Sequence, residues 1–208
     1  KAQKMKFYDL AGSPNTRRVR IFMAEKNLDI PAVMVDMMKG ENRTSKFLET
    51  KNSLGLLPVL ELDDGSCIAE SVAICRYLEL QHPEPPLFGR DAREQAQVEM
   101  WNRRMEHEIL LPAMHTFVHS HKMWDGRMEQ IPAWADACRD KIRERYDWLD
   151  KELAGRDFVA TADYTVADIT AQCAVLLAKG VCDVRIADEQ VNLAAWWERV
   201  ATRSTARA

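Results

Sequence analysis

Long apolar runs and a surplus of positive charge are both missing from this sequence. No run approaches the ~18 consecutive apolar residues that span a bilayer, and the amino end, KAQK, is polar, which is not typical of a signal peptide. The formal net charge is -3, whereas nucleic-acid-binding proteins usually carry a basic surplus. These absences predict a cytoplasmic protein that binds neither membranes nor nucleic acids.

Paired cysteines are missing as well. The chain has five cysteines, an odd number, and no C-x-x-C motif, which argues against a disulfide framework and a zinc site. We expect most of them to be reduced side chains in a core. His115 and His119 have the spacing of a helical metal pair, but no H-E-x-x-H motif or acidic third ligand accompanies them. Packed or solvated histidines are therefore favoured, and no metal site is predicted.

Short strand-like segments alternate with helical patterns in the first eighty residues. The strand-like segments are KFYDL, AVMVDM, PVLEL and CIA, at residues 6–10, 32–37, 58–62 and 67–69. Helical periodicity begins at Pro14, near residue 43 and near Ser71, and DDGS marks a tight hairpin between the last two strands. The order βαβαββα predicts an α/β domain over residues 5–81.

The segment HPEPPLFG is rich in proline, which disfavours regular structure, so residues 82–90 are predicted to be a linker. Long amphipathic stretches then predict an all-helical domain over residues 91–208, with helices over 91–121, 132–153, 165–179 and 188–202. The TVAD sequence at residues 165–168 resembles a capping box with Asp in place of Glu. Gly155 and Gly180 lie where carboxyl-terminal caps are expected.

The segment SPNTRRVRI follows the first strand. Ser13 before Pro14 is a preferred N-cap pairing, and its hydroxyl could do no more than bond a backbone N–H. Yet three arginines crowd the first turns, where the positive end of the helix dipole disfavours cations. A bound thiolate at this terminus would be stabilised by the hydroxyl, the dipole and the arginines together. A thiol of pKa ~8.5 needs a shift worth about 2 kcal/mol to be half ionised at pH 7, and one charge-assisted hydrogen bond contributes roughly 1.5 to 3 kcal/mol.

Two further junctions have both a structural and a functional interpretation. Pro58 in GLLPVLEL opens a strand and is explained by a strand boundary, but a cis bond there would turn the N–H and C=O of Leu57 outward, free to pair with an extended peptide. Ser71 in CIAESVAICRYL is an adequate N-cap. The same junction could hold an amino-acid head group, with Ser71 on its carboxylate and Glu70 on its ammonium.

In this order, SPNTRRVRIFMAEKN, NSLGLLPVLELDDG, AESVAICRYLE and YTVADIT resemble the cytosolic glutathione S-transferases, specifically their theta- and zeta-like serine branch. The resemblance spans nearly the whole chain. It implies a thioredoxin-like amino-terminal domain that binds glutathione as a co-substrate and an all-helical carboxyl-terminal domain that shapes the electrophile pocket. It also implies a homodimer.

The resemblance implies which residue activates the thiol. Ser13 matches the thiol-activating serine of that branch, and Asn15 and Tyr8 rank second and third for the same role. Arg17 is expected to contribute directly to the thiolate. The neighbouring arginines are expected to form salt bridges within the fold or to reach solvent.

The resemblance also implies how the tripeptide is held. Leu57, before the proline Pro58 that is cis in the family, would pair with the cysteinyl backbone of glutathione. Glu70 and Ser71 would hold the γ-glutamyl group. Leu56 stands where a polar or basic residue is often found, so one expected contact is missing.

The remaining candidate residues concern the glycyl end of glutathione and the electrophile pocket. Asn42 and Arg43, in KGENR, occupy the region that faces the glycyl carboxylate in related proteins. Met105, His107 and Met114 are candidate walls of an adaptable apolar pocket on the first long helix of the second domain.

The sequence therefore predicts a glutathione transferase that conjugates the thiolate to small, largely apolar electrophiles, a role in detoxification. Among enzymes, the alternative is a glutathione-dependent isomerase, dehalogenase or disulfide reductase on the same fold. A non-catalytic glutathione-binding or interaction protein is the alternative from another class. The lack of a cysteine near Ser13 disfavours exchange through a protein thiol.

Overall fold

The computed structural model describes residues 5–208. The expectation that the polar amino end, KAQK, is not a signal peptide concerns residues outside this part. The chain divides into two compact units. The first contains the described residues up to Pro86 together with Arg207 and Ala208, and the second is Leu87–Ala206. The division falls inside the segment that the sequence suggests as a linker.

Within the first unit, a four-stranded mixed sheet packs with α-helices. Its elements are β1 (Lys6–Asp9), α1 (Pro14–Glu25), β2 (Ala32–Met34), α2 (Ser45–Thr50), β3 (Val59–Glu61), β4 (Cys67–Ala69) and α3 (Ser71–Gln81), with 3-10 helices at Met37–Lys39 and Glu41–Arg43. The strand order is β2-β1-β3-β4; β2 is parallel to β1, and the other neighbouring pairs are antiparallel. The predicted order of elements and the thioredoxin-like fold are confirmed.

The register of the sheet brings four chain segments to one edge. Tyr8 lies opposite Val59, which in turn lies opposite Ala69 of β4, and Asp9 pairs with Met34 of the parallel strand β2. Because β3 is antiparallel to its neighbours, its beginning lies beside the ends of β1, β2 and β4. The segments that follow β1, β2 and β4 and the segment that precedes β3 therefore meet at the carboxyl edge of β1.

Apolar side chains are buried on both faces of this sheet. Phe7 and Leu60 are opposite one another in the register and are fully buried. On the other face, Val59 packs with Val35 and Phe47, because successive side chains of a strand point to opposite faces. Full burial of side chains of this size stabilises the unit by about 1.5 to 3 kcal/mol each.

Within Leu87–Ala206 the structure is helical, as predicted. The helices are α4 (Ala92–Met105), α5 (Leu111–Ser120), α6 (Pro132–Glu152), α7 (Val166–Val181) and α8 (Val191–Ala201), with a π-helical turn at Glu106–Leu110 and a 3-10 turn at Lys122–Trp124. Eleven of the 16 residues of α7 are buried, so this helix is the centre of the unit. Across residues 5–208, no helix is both long and apolar enough to cross a membrane.

Two details differ from the sequence expectation. The stretch 91–121 is not one regular helix, because the N–H of Leu111 bonds the C=O of Glu106, five residues back, and Pro112 has no N–H with which to resume the α-helical pattern. Gly180 is not a carboxyl-terminal cap, since α7 continues past it; the positive φ falls instead on Asp183, at 56°.

The predicted capping box at the start of α7 is confirmed, and its acidic residue has further partners. The buried carboxylate of Asp168 accepts hydrogen bonds from the N–H groups of Thr165 and Val159, both at 3.0 Å, and from Nε1–H of Trp196 at 2.9 Å. It thereby joins α7 to the preceding loop and to α8. Burial raises the pKa of Asp168 to about 6, although these donors favour the ionised form.

All five cysteines lie in the described part of the chain, and each is a free thiol. Four are buried, and Cys67 on β4 is half-buried. This confirms the expectation that most of them are reduced core residues.

Candidate functional site

Ser13 lies at the amino end of α1 and is the last residue of the turn Leu10–Ser13. The N–H of Ser13 closes this turn by donating to the C=O of Leu10 at 3.2 Å. Gly12 has a φ of 79°, at the turn position where a positive φ favours glycine. Ser13 is the N-cap residue, but its side chain forms no capping hydrogen bond within the described chain. Ser13 is half-buried. Its hydroxyl does not cap the helix, contrary to the interpretation of Ser13 as only an N-cap.

The first turn of α1 suits a bound anion. It contains no acidic side chain, so the partial positive charge of the helix terminus is not neutralised there. Arg17 is half-buried in this turn. Arg20 instead forms a salt bridge with Asp9 at 2.5 Å, as expected for an arginine that does not contribute to the thiolate. Arg18 is fully buried and does not reach solvent.

Tyr8 is engaged elsewhere. Its hydroxyl donates to Oε2 of Glu61 at 2.6 Å, and Nζ of Lys51 donates to the same oxygen at 2.6 Å. Burial and the contact with Glu61 raise the pKa of Tyr8, whereas the hydrogen bonds from Lys51 and Tyr8 lower the pKa of Glu61. A hydroxyl that already donates to a carboxylate is a poor donor to a thiolate, which supports the third rank of Tyr8.

Leu57 and Pro58 precede β3 at the carboxyl edge of β1. The bond between them is cis, as the resemblance implies. The side chain of Leu57 packs against the cluster of Val35, Phe47 and Val59. Its main-chain N–H and C=O form no hydrogen bond with any residue from 5 to 208. The described chain therefore uses neither group.

Glu70 and Ser71 form the junction between β4 and α3 at the same edge. Glu70, rather than Ser71, is the N-cap residue, and it has a φ of 70° and a ψ of 118°. Backbone of this kind costs a non-glycine residue about 1 to 3 kcal/mol and is typical of functional sites. The Glu70 side chain is exposed. Ser71 is the first residue of α3 and is 7% exposed.

Asn42 and Arg43 hold the loop that leads to β3. Nδ2 of Asn42 donates to the C=O of Gly55 at 2.7 Å, and Nη1 of Arg43 donates to the C=O of Leu54 at 3.1 Å. Asn42 is only 1% exposed, so its burial does not suit the direct contact with a glycyl carboxylate that the sequence suggests. The exposed Arg43 has no such restriction.

The three candidate pocket residues lie in the second unit, along one continuous stretch of helix. Met105 ends α4 and is fully buried, His107 lies exposed in the π-helical turn, and Met114 is half-buried in α5. A buried methionine suits packing rather than contact with a substrate. The π-helical turn is a feature often found at functional sites, and it displays His107.

The histidines of α5 are packed. Nδ1 of His115 accepts from Nε1–H of Trp134 at 3.3 Å, and Nδ1 of His119 accepts from the N–H of Ile131 at 3.2 Å. The structure contains no group of three or more His, Cys, Asp or Glu residues suited to a metal ion between residues 5 and 208.

Sequence patterns did not predict a group of polar side chains behind Ser13. It consists of Asp9, Thr16 and Arg20, which bond one another and the main chain of Leu10. One signal was available. Asp9 follows Phe7 by two positions and so points to the same buried face of β1, where an acidic side chain needs a partner from a neighbouring element.

The first unit thus has a thioredoxin-like fold with its candidate ligand groups at one edge of the sheet, and a helical unit follows. Sequence comparison agrees with a thioredoxin-like unit followed by a helical unit. Residues 7–86 match the glutathione S-transferase N-terminal domain, and residues 104–204 match the glutathione S-transferase C-terminal domain. The chain belongs to the glutathione S-transferase family.

Individual relatives support the same conclusion. Glutathione S-transferase 2 from Saccharomyces cerevisiae is 34% identical over 209 residues, covering 99% of this chain and 89% of that protein. The crystal structure of a glutathione S-transferase domain-containing protein from Marinobacter aquaeolei VT8 matches with a TM-score of 0.91 at 36% identity, covering 97% of this chain and 99% of that one. Maleylacetoacetate isomerase from Pseudomonas aeruginosa is 36% identical over 94 residues, 44% of each chain.

Proposed function

We propose that the chain is a glutathione transferase that conjugates the thiolate of glutathione to small, largely apolar electrophiles. Membership of the family supports the activity. The observation that carries the residue assignment is the hydroxyl of Ser13, which lies at the amino end of α1 and makes no capping bond within residues 5–208.

Ser13 is proposed to stabilise the thiolate. The thiol of bound glutathione loses its proton to solvent, and the Ser13 hydroxyl donates a hydrogen bond to the resulting anion beside the positive end of α1. The sulfur then attacks the electrophilic carbon, forming a C–S bond while the leaving group departs with its electron pair. One charge-assisted hydrogen bond of roughly 1.5 to 3 kcal/mol accounts for the required pKa shift. Arg17 adds positive charge, and Asn15 is the second candidate for the role of Ser13.

The carboxyl edge of β1 is proposed to hold the tripeptide. The unbonded main chain of Leu57, next to Pro58, pairs with the cysteinyl backbone as an added strand would. Ser71 at the start of α3 binds the γ-glutamyl carboxylate, and Glu70 binds the ammonium. Arg43 is proposed to bind the glycyl carboxylate.

Asn42 is proposed to support that edge from inside the fold. Its bond to the C=O of Gly55 fixes the loop that leads to Leu57, so it acts through the loop. In the second unit, His107 and Met114 are proposed to contact the electrophile, and the buried Met105 to support them. A cytoplasmic homodimer without a metal ion is part of the proposal on the family resemblance.

Ligand-dependent stability and turnover test the proposal together. Glutathione at ~100 times its Kd should raise the free energy of unfolding by about 2.7 kcal/mol. Ser13→Ala should lower the conjugation of an activated aryl halide by about 10- to 100-fold and keep that stabilisation. Stabilisation without conjugation across a broad electrophile panel would identify a non-catalytic binding protein. No stabilisation at all would refute glutathione binding.

A glutathione-dependent isomerase is the second candidate, because the match to maleylacetoacetate isomerase covers 44% of the chain. The match to the yeast glutathione S-transferase covers 99%, which favours the transferase. Including a cis-configured conjugated diacid in the electrophile panel separates the two. Its glutathione-dependent conversion to the trans isomer, without accumulation of a conjugate, would favour the isomerase.

A further inference from the structure

A closed ring of hydrogen bonds links the end of β1 to the second turn of α1. The hydroxyl of Thr16 donates to the C=O of Leu10 at 2.8 Å, and Nη1 of Arg20 donates to Thr16 Oγ1 at 3.2 Å and to Asp9 Oδ1 at 2.5 Å. The same Asp9 oxygen accepts from the N–H of Leu10 at 2.7 Å. The ring includes the main chain of Leu10, the first residue of the turn that ends at Ser13.

Two of the three side chains in the ring are shielded from water. Thr16 is fully buried and Asp9 is 4% exposed, while the side chain of Arg20 is 23% exposed. Bonds between ionised groups in such surroundings are stronger and more directional than those at a surface. Hydrogen bonds therefore hold both main-chain groups of Leu10, the first residue of the turn: its N–H and its C=O.

This support matters because of what Ser13 does not do. A capping bond would fix a serine hydroxyl to its own helix, but the described chain shows none for Ser13. The position of its hydroxyl therefore depends on the backbone of the turn. Thr16 reaches that backbone a second time, since its Oγ1 lies 3.2 Å from the C=O of Ser13. Hydrogen bonds weaken steeply with distance and angle, so a small shift of the turn changes the bond to a bound sulfur.

We propose that Thr16, supported by the pair of Asp9 and Arg20, is a positioning residue for thiolate activation. It holds the Leu10–Ser13 turn so that the Ser13 hydroxyl lies within hydrogen-bond distance of the glutathione sulfur. This inference rests on the proposed role of Ser13. Thr16 itself does not touch the tripeptide, because it is fully buried.

The test is the pKa of the thiol of bound glutathione, followed by thiolate ultraviolet absorbance during a pH titration. Thr16→Val removes the hydroxyl and keeps the shape of the side chain. It should raise the pKa of the bound thiol by about one unit and lower kcat/KM at a pH below that pKa by about tenfold. The Kd of glutathione should stay within about twofold, and the rate should recover at a pH above the new pKa. Thr16→Ser restores a hydroxyl and should restore the wild-type profile.

Thr116→Val is a matched control. Thr116 is also fully buried, and its hydroxyl donates to the C=O of Pro112 at 2.9 Å within the second unit. This variant should lose a comparable amount of stability while the pKa of the bound thiol is unchanged. A purely structural role for Thr16 predicts the same behaviour for Thr16→Val, and that result would overturn the inference.

The inference and the proposed function fail differently. If Ser13→Ala leaves the pKa of the bound thiol unchanged, the role of Ser13 is wrong and the inference falls with it. If Ser13→Ala raises this pKa and Thr16→Val does not, only the inference is wrong. Should Thr16→Val not fold, Arg20→Lys decides the matter, because it keeps the charge but not the geometry of the two donations. An unchanged thiol pKa in Arg20→Lys would also overturn the inference.

Discussion

The hydroxyl of Tyr8 donates to Glu61 across the pair of strands β1 and β3 at 2.6 Å. Nζ of Lys51, bonded to the same carboxylate, also lies 5.2 Å from the centre of the Tyr8 ring. Tyrosine at the end of a first strand is a candidate thiol activator, but in this chain the hydroxyl belongs to a charged cluster within the first unit. Both residues lie near the end of β1, but Tyr8 donates to a carboxylate whereas Ser13 makes no capping bond in the described chain, which favours Ser13 for the proposed role.

Tyr8→Phe should therefore cost stability rather than activity. The variant loses one hydrogen bond to a carboxylate, worth about 1.5 to 3 kcal/mol, while Lys51 and Glu61 keep their ion pair. We expect the free energy of unfolding in denaturant to fall by that amount and kcat/KM for an aryl halide to stay within about twofold. A loss of activity as large as that of Ser13→Ala would show that Tyr8 activates the thiol.

Glu70 should show a trade between stability and binding. Its positive φ is tolerated by glycine, so Glu70→Gly should raise the free energy of unfolding by about 1 kcal/mol. The same variant loses the carboxylate proposed to bind the ammonium of glutathione, and the Kd should rise about 10- to 100-fold. Unfolding in denaturant and calorimetric titration measure the two effects.

Glu70→Gln is the control for that comparison. It keeps the side-chain shape and the strained backbone but removes the charge. It should weaken glutathione binding without any gain in stability. If Glu70→Gln binds glutathione as tightly as the wild type, Glu70 does not hold the ammonium.

Gly55 should tolerate no side chain. Its φ is 63°, and an added Cβ would lie 2.8 Å from the main-chain oxygen of Asn42, so the loop would have to move. Gly55→Ala should lower the free energy of unfolding by about 1 to 3 kcal/mol and weaken glutathione binding, because the loop leads to Leu57. Gly40→Ala is the matched control, since its φ is similarly positive, at 74°, but no atom lies within 4 Å of the added Cβ. Equal losses in both variants would contradict a role for the contact with Asn42.

The parts of this fold that depend on neighbouring residues were predictable from the sequence. Strand alternation, proline and the DDGS turn set the order of elements, and the capping box set the start of α7. The partners of Tyr8 and Asn42 were not predictable, because Glu61 lies 53 residues from Tyr8 and Gly55 lies 13 residues from Asn42. Only the folded chain brings such groups together.

The same distinction applies to the candidate site. Ser13 and Ser71 are predictable as helix starts, since Ser before Pro and Ser after a strand are local signals. Backbone geometry decides two further features. The Ser13 hydroxyl makes no cap bond in the described chain, and Glu70 occupies the cap position of α3. No residue pattern encodes them directly. The group of Asp9, Thr16 and Arg20 likewise needed the strand and the helix in place.

Asp168 gives a prediction about pH. Its carboxyl has a pKa of about 6 in the folded chain, raised by burial from 3.8. Between these values the folded chain binds more protons than the unfolded chain, so this group's contribution to stability is present below about pH 4 and is lost as the pH rises through 6. The loss amounts to about 3 kcal/mol. Other acids titrate in the same range, so the difference between the wild type and Asp168→Asn must be measured.

Asp168→Asn does not titrate but keeps the shape of the side chain. We expect the stability of the wild type relative to this variant to fall as the pH rises from about 4 to about 7, with unfolding in denaturant measured at each pH. The opposite slope would mean that the N–H donors of Val159, Thr165 and Trp196 outweigh burial and lower the pKa of the carboxyl. In that case the carboxylate that joins α7 to α8 would stay ionised to a pH well below the value of about 6.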